Sequence, residues 1–119
     1  ERNPLGWAKD KILTGEILKA MNATEGQDLV YAISVQAHGK YPTETIDPDQ
    51  PITVSGVPEG VDPAAFAYYI NQLHETDTFV GQLVDVLRQR DEPTVLVLFG
   101  DHLPNFSITE DMLTDGNLL

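Results

Sequence analysis

Two short apolar runs stand out against an otherwise polar chain. Residues 29–35 read LVYAISV and residues 94–99 read TVLVLF, so both are rich in β-branched and aromatic side chains and carry no charge. Runs of this length and composition are typical of strands buried on both faces, which favours a parallel sheet. We therefore predict a buried strand over each range.

Elsewhere, apolar residues recur at the spacing of helices. Residues 8–21 form one such segment, and the polar stretch that begins at Asn22 predicts its end. A second helix is predicted over residues 63–90, because Asp62 and Pro63 stand in the order of N-cap and first helical residue. Its predicted apolar stripe consists of Phe66, Tyr69, Ile70, Leu73, Val80, Leu83, Val84 and Leu87.

A strand, a long connection with a helix and a second strand make a βαβ unit, whose two strands run parallel. The predicted fold class is therefore α/β, in a single domain over residues 1–119. In open parallel sheets, ligands bind at the carboxyl ends of the strands. His38 follows the first predicted strand, and Asp101 and His102 follow the second. We expect these three residues to emerge at the same edge of the sheet.

Composition and charge narrow the classes of function. With 19 acidic residues against 7 basic ones the formal net charge is −12, and there is no basic footprint of the kind that nucleic-acid binding needs. The lack of cysteine excludes disulfides, zinc–thiolate sites and thiol nucleophiles within the chain. No run approaches the roughly 18 apolar residues of a membrane span. Neither end carries an obvious start or finish signal, so we expect a piece of a longer protein.

Asp101 and His102 are the strongest candidates for chemistry. Gly100 lets the backbone bend, so both side chains can turn towards one centre, and a carboxylate oxygen with an imidazole nitrogen suits Zn²⁺ or Mn²⁺. From the residues alone, the alternative is a solvated turn with a surface histidine, and His38 has the corresponding alternative of an ordinary loop residue. Asp77, which falls on the apolar stripe, is interpreted as a buried structural carboxylate.

Three segments, taken in order, resemble one family. They are YAISVQAHGKYP at residues 31–42, YYINQLHETDTFVGQLVDVL at residues 68–87 and PTVLVLFGDHLP at residues 93–104. They resemble the later half of the sulfatase-like domain of the alkaline phosphatase superfamily. The branch they resemble most is that of lipoteichoic acid synthases, the phosphoglycerol transferases of Gram-positive cell surfaces. FGDHLP after a buried strand is the most specific part of the resemblance.

The resemblance implies a fold, a site and a location. The fold is the parallel-sheet βαβ part of an alkaline phosphatase-like three-layer domain. Asp101 and His102 inherit the role of ligands to a catalytic divalent metal, expected to be Mn²⁺, with Zn²⁺, Mg²⁺ or Ca²⁺ as alternatives. His38 inherits contact with an anionic phosphate or sulfate ester substrate. The implied location is the extracellular face of the cell membrane.

The resemblance also implies what the chain does not contain. The family's nucleophile and an acidic metal ligand come from an earlier part of the domain, and no segment here matches either. We therefore expect the carboxyl-terminal part of a catalytic domain, inactive alone, whose partner is the remainder of that domain. The expected function is transfer or hydrolysis of phosphoglycerol groups in cell-surface polymer metabolism of the lipoteichoic acid type. The alternatives are a true sulfatase, a phosphoethanolamine transferase and a non-catalytic binding module.

Overall fold

The computed structural model describes residues 1–106 and 109–116, and the regular elements in these ranges are helices. Helix α1 spans Lys11–Met21, α2 spans Pro63–Arg88 and α3 spans Glu110–Asp115. In addition, an isolated antiparallel bridge pairs Arg2 with Ala8. None of these helices combines the length and hydropathy needed to cross a membrane.

The chain divides into two compact units. Unit one consists of Glu1–His38 and Gln72–Leu98, and unit two consists of Gly39–Asn71 and Phe99–Leu119. Helix α2 contributes its amino-terminal part to unit two and the remainder to unit one. His38 therefore belongs to unit one, whereas Asp101 and His102 belong to unit two.

Helix α1 ends where the sequence predicts but begins later. The predicted start was residue 8, and the first helical residue is Lys11. Ala8 is instead bridged to Arg2, and the Lys9 N–H donates to the Glu1 carbonyl at 3.0 Å, which holds the backbone extended there. At the other end, the N–H of Asn22 donates to the Leu18 carbonyl at 3.0 Å and closes the last turn.

Helix α2 begins at the predicted residue. The Asp62 carboxylate accepts the N–H of Ala65 at 2.9 Å, so Asp62 caps the helix as expected, which is worth about 1 kcal/mol. The helix ends at Arg88 rather than at residue 90. The next two N–H groups, of Gln89 and Arg90, donate three residues back at 3.1 and 3.2 Å, so the final turn tightens.

The buried face of α2 differs from the predicted stripe. Leu83 is the one member of that stripe that is fully buried, and Leu73 is exposed. Asp77, predicted to be a buried carboxylate, is exposed as well, so that prediction is wrong for this chain. The face that is buried includes polar residues and consists of Ala65, Tyr68, Asn71, Gln72, Phe79 and Leu83. The helix is thus rotated so that two amide side chains lie inside.

The two apolar runs are largely exposed. Leu29 is 97% exposed and Val95 is 89% exposed. Most of the other apolar residues in the two runs are also exposed, but less fully. In the described ranges, residues 29–35 and 94–99 are assigned neither to a helix nor to a paired strand. The parallel sheet therefore stays a prediction. Helix α3 was not predicted; it begins after Thr109, whose hydroxyl accepts the N–H of Met112 at 3.3 Å.

Candidate functional site

Asp101 and His102 lie side by side in a loop of unit two. The Nε2 atom of His102 is 3.6 Å from Oδ1 of Asp101, and both side chains are exposed, at 59% and 79% respectively. The other ring nitrogen, Nδ1, lies 2.9 Å from the carbonyl oxygen of Leu103. Because a carbonyl oxygen can only accept, Nδ1 is the donor in this contact, and in the neutral ring Nε2 then carries the lone pair.

This pair fits two neighbouring ligands of one metal ion. Ligands bound to a tetrahedral ion at about 2.1 Å lie about 3.4 Å from each other, close to the observed separation of Nε2 and Oδ1. A hydrogen bond from the second ring nitrogen to a carbonyl is also the usual support of a metal-binding histidine. Within residues 1–106 and 109–116, no group of three or more potential ligands occurs. The pair can therefore supply part of a metal site.

An aromatic cluster in unit two joins a residue of the AHGKYP segment to a residue that follows the FGDHLP segment. Tyr41, from the AHGKYP segment, stacks on Phe106, which follows FGDHLP, with ring centroids 4.6 Å apart. Tyr69 and Phe66 of α2 contact Phe106 edge-on at 5.2 and 5.5 Å. Burial, together with the nearby Tyr69, raises the pKa of Tyr41 above its ordinary value of 10.0, so its hydroxyl stays protonated at neutral pH. The cluster fixes the far ends of both motifs to the same helix.

Asn71 holds a second loop of unit two on α2. Its side-chain amide donates to the carbonyl of Ile52 and its side-chain oxygen accepts the N–H of the same residue, both at 2.9 Å. Asn71 also donates to the carbonyl of Ala67 at 2.8 Å. Because Asn71 is buried and satisfied, it secures the middle of the proline-rich connection that precedes the helix.

His38 lies in unit one, three residues after the end of the first apolar run. Its N–H donates to the Val35 carbonyl at 3.1 Å, which closes a turn, and Gly39 follows with φ of 142°, a conformation that favours glycine. The indole of Trp7 meets the His38 ring edge-on, with centroids 5.4 Å apart and planes 73° apart. The ring of His38 thus lies beside the indole of Trp7, and His38 remains exposed.

Trp7 is presented by a short hydrogen-bonded loop. The N–H of Asn3 donates to the Trp7 carbonyl at 2.8 Å, and the N–H of Trp7 donates to the Asn3 side-chain oxygen at 2.9 Å. Gly6 turns the loop with φ of 85° and donates its N–H to the Asn3 carbonyl at 2.8 Å. This dense pairing gives the indole a defined position in unit one.

A buried polar network holds the segment that precedes His38. Its members on the described chain with almost no exposed surface are Asn3, Asp10, Gln36 and Gln72. Gln36 is central: its Nε2 donates to Gln72 at 3.1 Å and to Glu75 at 2.7 Å, and its Oε1 accepts the Asp10 N–H at 2.7 Å. Asn3 donates to the Gln36 carbonyl at 2.9 Å and to the Gln72 side-chain oxygen at 3.2 Å. The network joins the amino-terminal loop, the segment before His38 and α2.

Asp10 is the buried carboxylate of this network. It stands at the N-cap position of α1, yet its carboxylate makes no capping bond. Instead, Oδ2 accepts the hydroxyls of Ser34 and Thr76, both at 2.7 Å, and Oδ1 accepts the Gln36 N–H at 3.4 Å. A buried carboxylate that accepts several donors is stabilised against its loss of hydration.

Comparison with known proteins identifies the family. The profile of the Sulfatase family matches residues 1–114, which is nearly the whole chain. The chain belongs to the Sulfatase family. The predicted likeness to a sulfatase-like domain is thereby confirmed, whereas the lipoteichoic acid synthase branch stays a prediction. Among solved structures, none matches this sulfatase-family chain.

One relative is a protein of Rhizobium meliloti (strain 1021) that carries the name cyclic beta-1,2-glucan modification protein. It is 34% identical over 98 residues, which make up 82% of this sulfatase-family chain. The chain covers 15% of that relative's length. The relative is named for a modification of a glucan.

The charge of Glu75 stabilises unit one of the sulfatase-family chain above acidic pH. Partial burial raises its pKa, but hydrogen bonds from Lys9 at 3.1 Å and Gln36 at 2.7 Å and the charges of Lys9 and Lys11 outweigh this, so the pKa lies below its ordinary value of 4.5. A lowered folded-state pKa gives stability that is present above the ordinary value and is lost as the pH falls through the lowered one.

We therefore expect Glu75→Gln to remove part of the loss of stability on acidification. Urea unfolding of both chains at about pH 7 and about pH 3.5 measures it, and the pH-dependent difference should stay below about 1 kcal/mol because Glu75 is partly solvated. Glu59→Gln, at an exposed position, is the matched control and should leave the pH profile unchanged. Equal profiles for Glu75→Gln and the unchanged chain would contradict the prediction.

The network residues were missed in the sequence. Gln36 interrupts an otherwise apolar stretch, and that interruption is the one signal that could have indicated a buried amide. Asp10 has the pattern of a helix cap, and its real partners Ser34 and Thr76 are distant in sequence. Asn3 had no signal at all. Their roles arise from tertiary contacts that spacing along the chain does not reveal.

Proposed function

We propose that this chain supplies two metal ligands and a substrate contact to a metal-dependent enzyme that transfers or hydrolyses phosphoglycerol groups. The observation that carries the proposal is the separation of 3.6 Å between Nε2 of His102 and Oδ1 of Asp101, in a chain of the Sulfatase family. His38 is proposed to contact the anionic group of the substrate. Its exposed ring next to Trp7 supports that role.

The chain's own residues prepare this chemistry. The Leu103 carbonyl accepts a hydrogen bond from Nδ1 of His102, which favours the tautomer in which Nε2 carries a lone pair that can bind a metal. Asp101 adds negative charge at the same point. A divalent ion held there, for which we propose Mn²⁺, would activate a hydroxyl nucleophile and neutralise charge on the transferring group. His38 can donate hydrogen bonds to the oxygens of a phosphate or sulfate ester.

For the substrate, we propose a phosphoglycerol unit that is transferred within the metabolism of a cell-surface polymer. The likeness of the three sequence segments to the lipoteichoic acid synthase branch supports the phosphoglycerol group. The name of the Rhizobium meliloti relative, which refers to a glucan, supports a glycan as the acceptor. A location on the extracellular face of the membrane is part of the same proposal, since such polymers are found there.

We further propose that the exposed apolar runs are parallel strands whose partner is the remainder of a catalytic domain. Residues 29–35 and 94–99 expose consecutive apolar side chains, and contiguous apolar surface of this kind is typical of regions that another segment covers. Each run is followed by a proposed site residue, which agrees with the position of ligands at the carboxyl ends of parallel strands. The remainder would also supply the nucleophile and further metal ligands.

The proposal predicts weak binding of Mn²⁺ at the Asp101–His102 pair. With two protein ligands where catalytic sites have three, we expect half-saturation at about 1 mM or weaker, with paramagnetic broadening of NMR signals centred on His102. Asp101→Ala and His102→Ala should each abolish the broadening at that position. Asp85→Ala, at an exposed aspartate of α2, should leave it intact.

Two results would contradict the metal assignment. Broadening that persists in both site variants would place the ion elsewhere on this acidic surface. Submicromolar affinity in the unchanged chain would mean that the chain forms a complete metal site by itself, which favours a binding module over part of a catalytic site.

A further inference from the structure

We propose that Gln36 is a positioning residue that holds the ring of His38 against Trp7, with Asn3, Asp10 and Gln72 as its supports. This inference deepens the proposed function, on which it rests for the contact between His38 and an anionic substrate. Three features of the buried network in unit one set the direction of that imidazole.

First, Gln36 is held at each of its polar groups. The side chain is 1% exposed; its Oε1 accepts the Asp10 N–H, and its Nε2 donates to both Gln72 and Glu75. The Gln36 backbone is held as well, because its carbonyl accepts from Asn3 and its N–H donates to Asp10. A buried residue with this many partners has one position, and His38 is two residues further along the chain.

Second, the side chain of Asn3 connects Gln36 to the loop that presents Trp7. Asn3 donates through Nδ2 to the Gln36 carbonyl and accepts the Trp7 N–H through Oδ1, both at 2.9 Å. The segment before His38 and the loop that presents Trp7 are therefore fixed to the same amide. The edge-on contact of Trp7 with His38 at 5.4 Å closes this ring of contacts.

Third, the network consists of directional hydrogen bonds and, through Gln36, lies close in sequence to His38, whose ring it orients. An apolar side chain at position 36 would bury surface without setting a direction, since apolar contacts are not directional. A buried polar network that is fully satisfied specifies one arrangement. Asp10 strengthens this arrangement by binding the hydroxyl of Ser34, before Gln36, and that of Thr76 on α2. The segment leading to His38 is thus tied to α2 directly at Gln36 and, through Asp10, at Ser34.

The test is to remove the Gln36 side chain and observe the His38 ring. NMR of the 119-residue chain should show cross-relaxation between the Trp7 indole and the His38 ring, and a ring-current shift of the His38 ring protons. We expect Gln36→Ala to lose both signals while circular dichroism retains α1 and α2. Gln82→Ala, the same change at an exposed position of α2, should preserve both signals. Retention of both signals in folded Gln36→Ala overturns the proposal.

Titration with inorganic phosphate at about pH 6 provides the second readout. We expect the His38 signals to follow phosphate binding, with affinity weaker by about fivefold or more in Gln36→Ala and unchanged in Gln82→Ala. Equal affinity in Gln36→Ala and the unchanged chain overturns the positioning role. If the His38 signals of the unchanged chain do not respond but the Trp7 contact is lost in Gln36→Ala, the positioning role stands and the proposed substrate contact fails.

A second variant covers the case in which Gln36→Ala does not fold. Asn3→Ala removes the link between the Trp7 loop and the Gln36 carbonyl but leaves Gln36 bonded to Asp10, Gln72 and Glu75. Loss of the Trp7–His38 signals in this variant supports the proposal. Their retention, with the chain folded, overturns it.

Discussion

Replacing Asp10 with alanine should lower the free energy of unfolding by about 3 kcal/mol. Asp10 is 2% exposed, and its carboxylate accepts the hydroxyls of Ser34 and Thr76 at 2.7 Å each. Alanine removes three hydrogen bonds to this carboxylate. The Thr76 hydroxyl keeps the Gln72 carbonyl as an acceptor at 3.2 Å, and the exposed Ser34 can bind water. The N–H of Gln36, a residue that is 1% exposed, loses its acceptor without being rehydrated, which adds to the cost.

Urea unfolding followed by far-ultraviolet circular dichroism measures this effect. Asp85→Ala is the matched control: the carboxylate is largely solvated, its distance of 4.0 Å from Arg88 makes a weak pair, and the change should stay within about 0.5 kcal/mol. If Asp10→Ala shifts stability no more than Asp85→Ala, the network around Gln36 contributes little to folding. Gln36 would then be held too weakly by Asp10 to position His38.

Local signals account for what the sequence predicted correctly. The end of α1 at Met21 and the start of α2 at Pro63 follow from neighbouring residues: a polar stretch after one helix, and an Asp-Pro pair before the other. Asp62 shows why this works, because its carboxylate reaches an N–H only three residues along the chain. Such caps depend on nothing beyond the segment itself.

Sequence patterns predicted little about side chains whose hydrogen-bond partners are distant in the chain. Asp10 looks like a cap for α1, but Ser34 and Thr76 compete successfully for its carboxylate. The buried face of α2 was placed on apolar residues such as Leu73, whereas Gln72 is inside because Gln36 and Asn3 meet it there. Periodicity weighs side chains by hydropathy and cannot register such pairing.

The candidate site shows the same division. Asp101 and His102 are adjacent in sequence, so a motif could propose them together, and the structure places Nε2 and Oδ1 at a separation suited to one ion. The apolar runs at residues 29–35 and 94–99 predicted strands from composition alone. Composition does not say which segment a strand pairs with, and pairing is what defines a sheet. The prediction of a parallel sheet therefore needs the partner segments for its test.

The Asp101–His102 pair also leads to the prediction with the largest effect on activity. In a longer form of the protein that contains the proposed nucleophile, Asp101→Ala should lower kcat/KM for a phosphodiester by about 10³-fold or more. The reason is that a metal ligand supports several kcal/mol of transition-state charge stabilisation, and each 1.4 kcal/mol corresponds to about tenfold in rate. Asp91→Ala, at an exposed position before the second apolar run, should retain activity.

Assays with a phosphodiester and a sulfate ester, each with Mn²⁺ added or chelated, separate the reactions considered. Mn²⁺-dependent turnover of the phosphodiester alone supports phosphoglycerol transfer or hydrolysis, whereas preference for the sulfate ester would redirect the function to a true sulfatase. The 119-residue chain should show neither activity, because its described part brings together two proposed metal ligands and no third. Robust Mn²⁺-dependent turnover by this chain, abolished by Asp101→Ala, would contradict the partial site, since the nucleophile would then have to lie within these 119 residues.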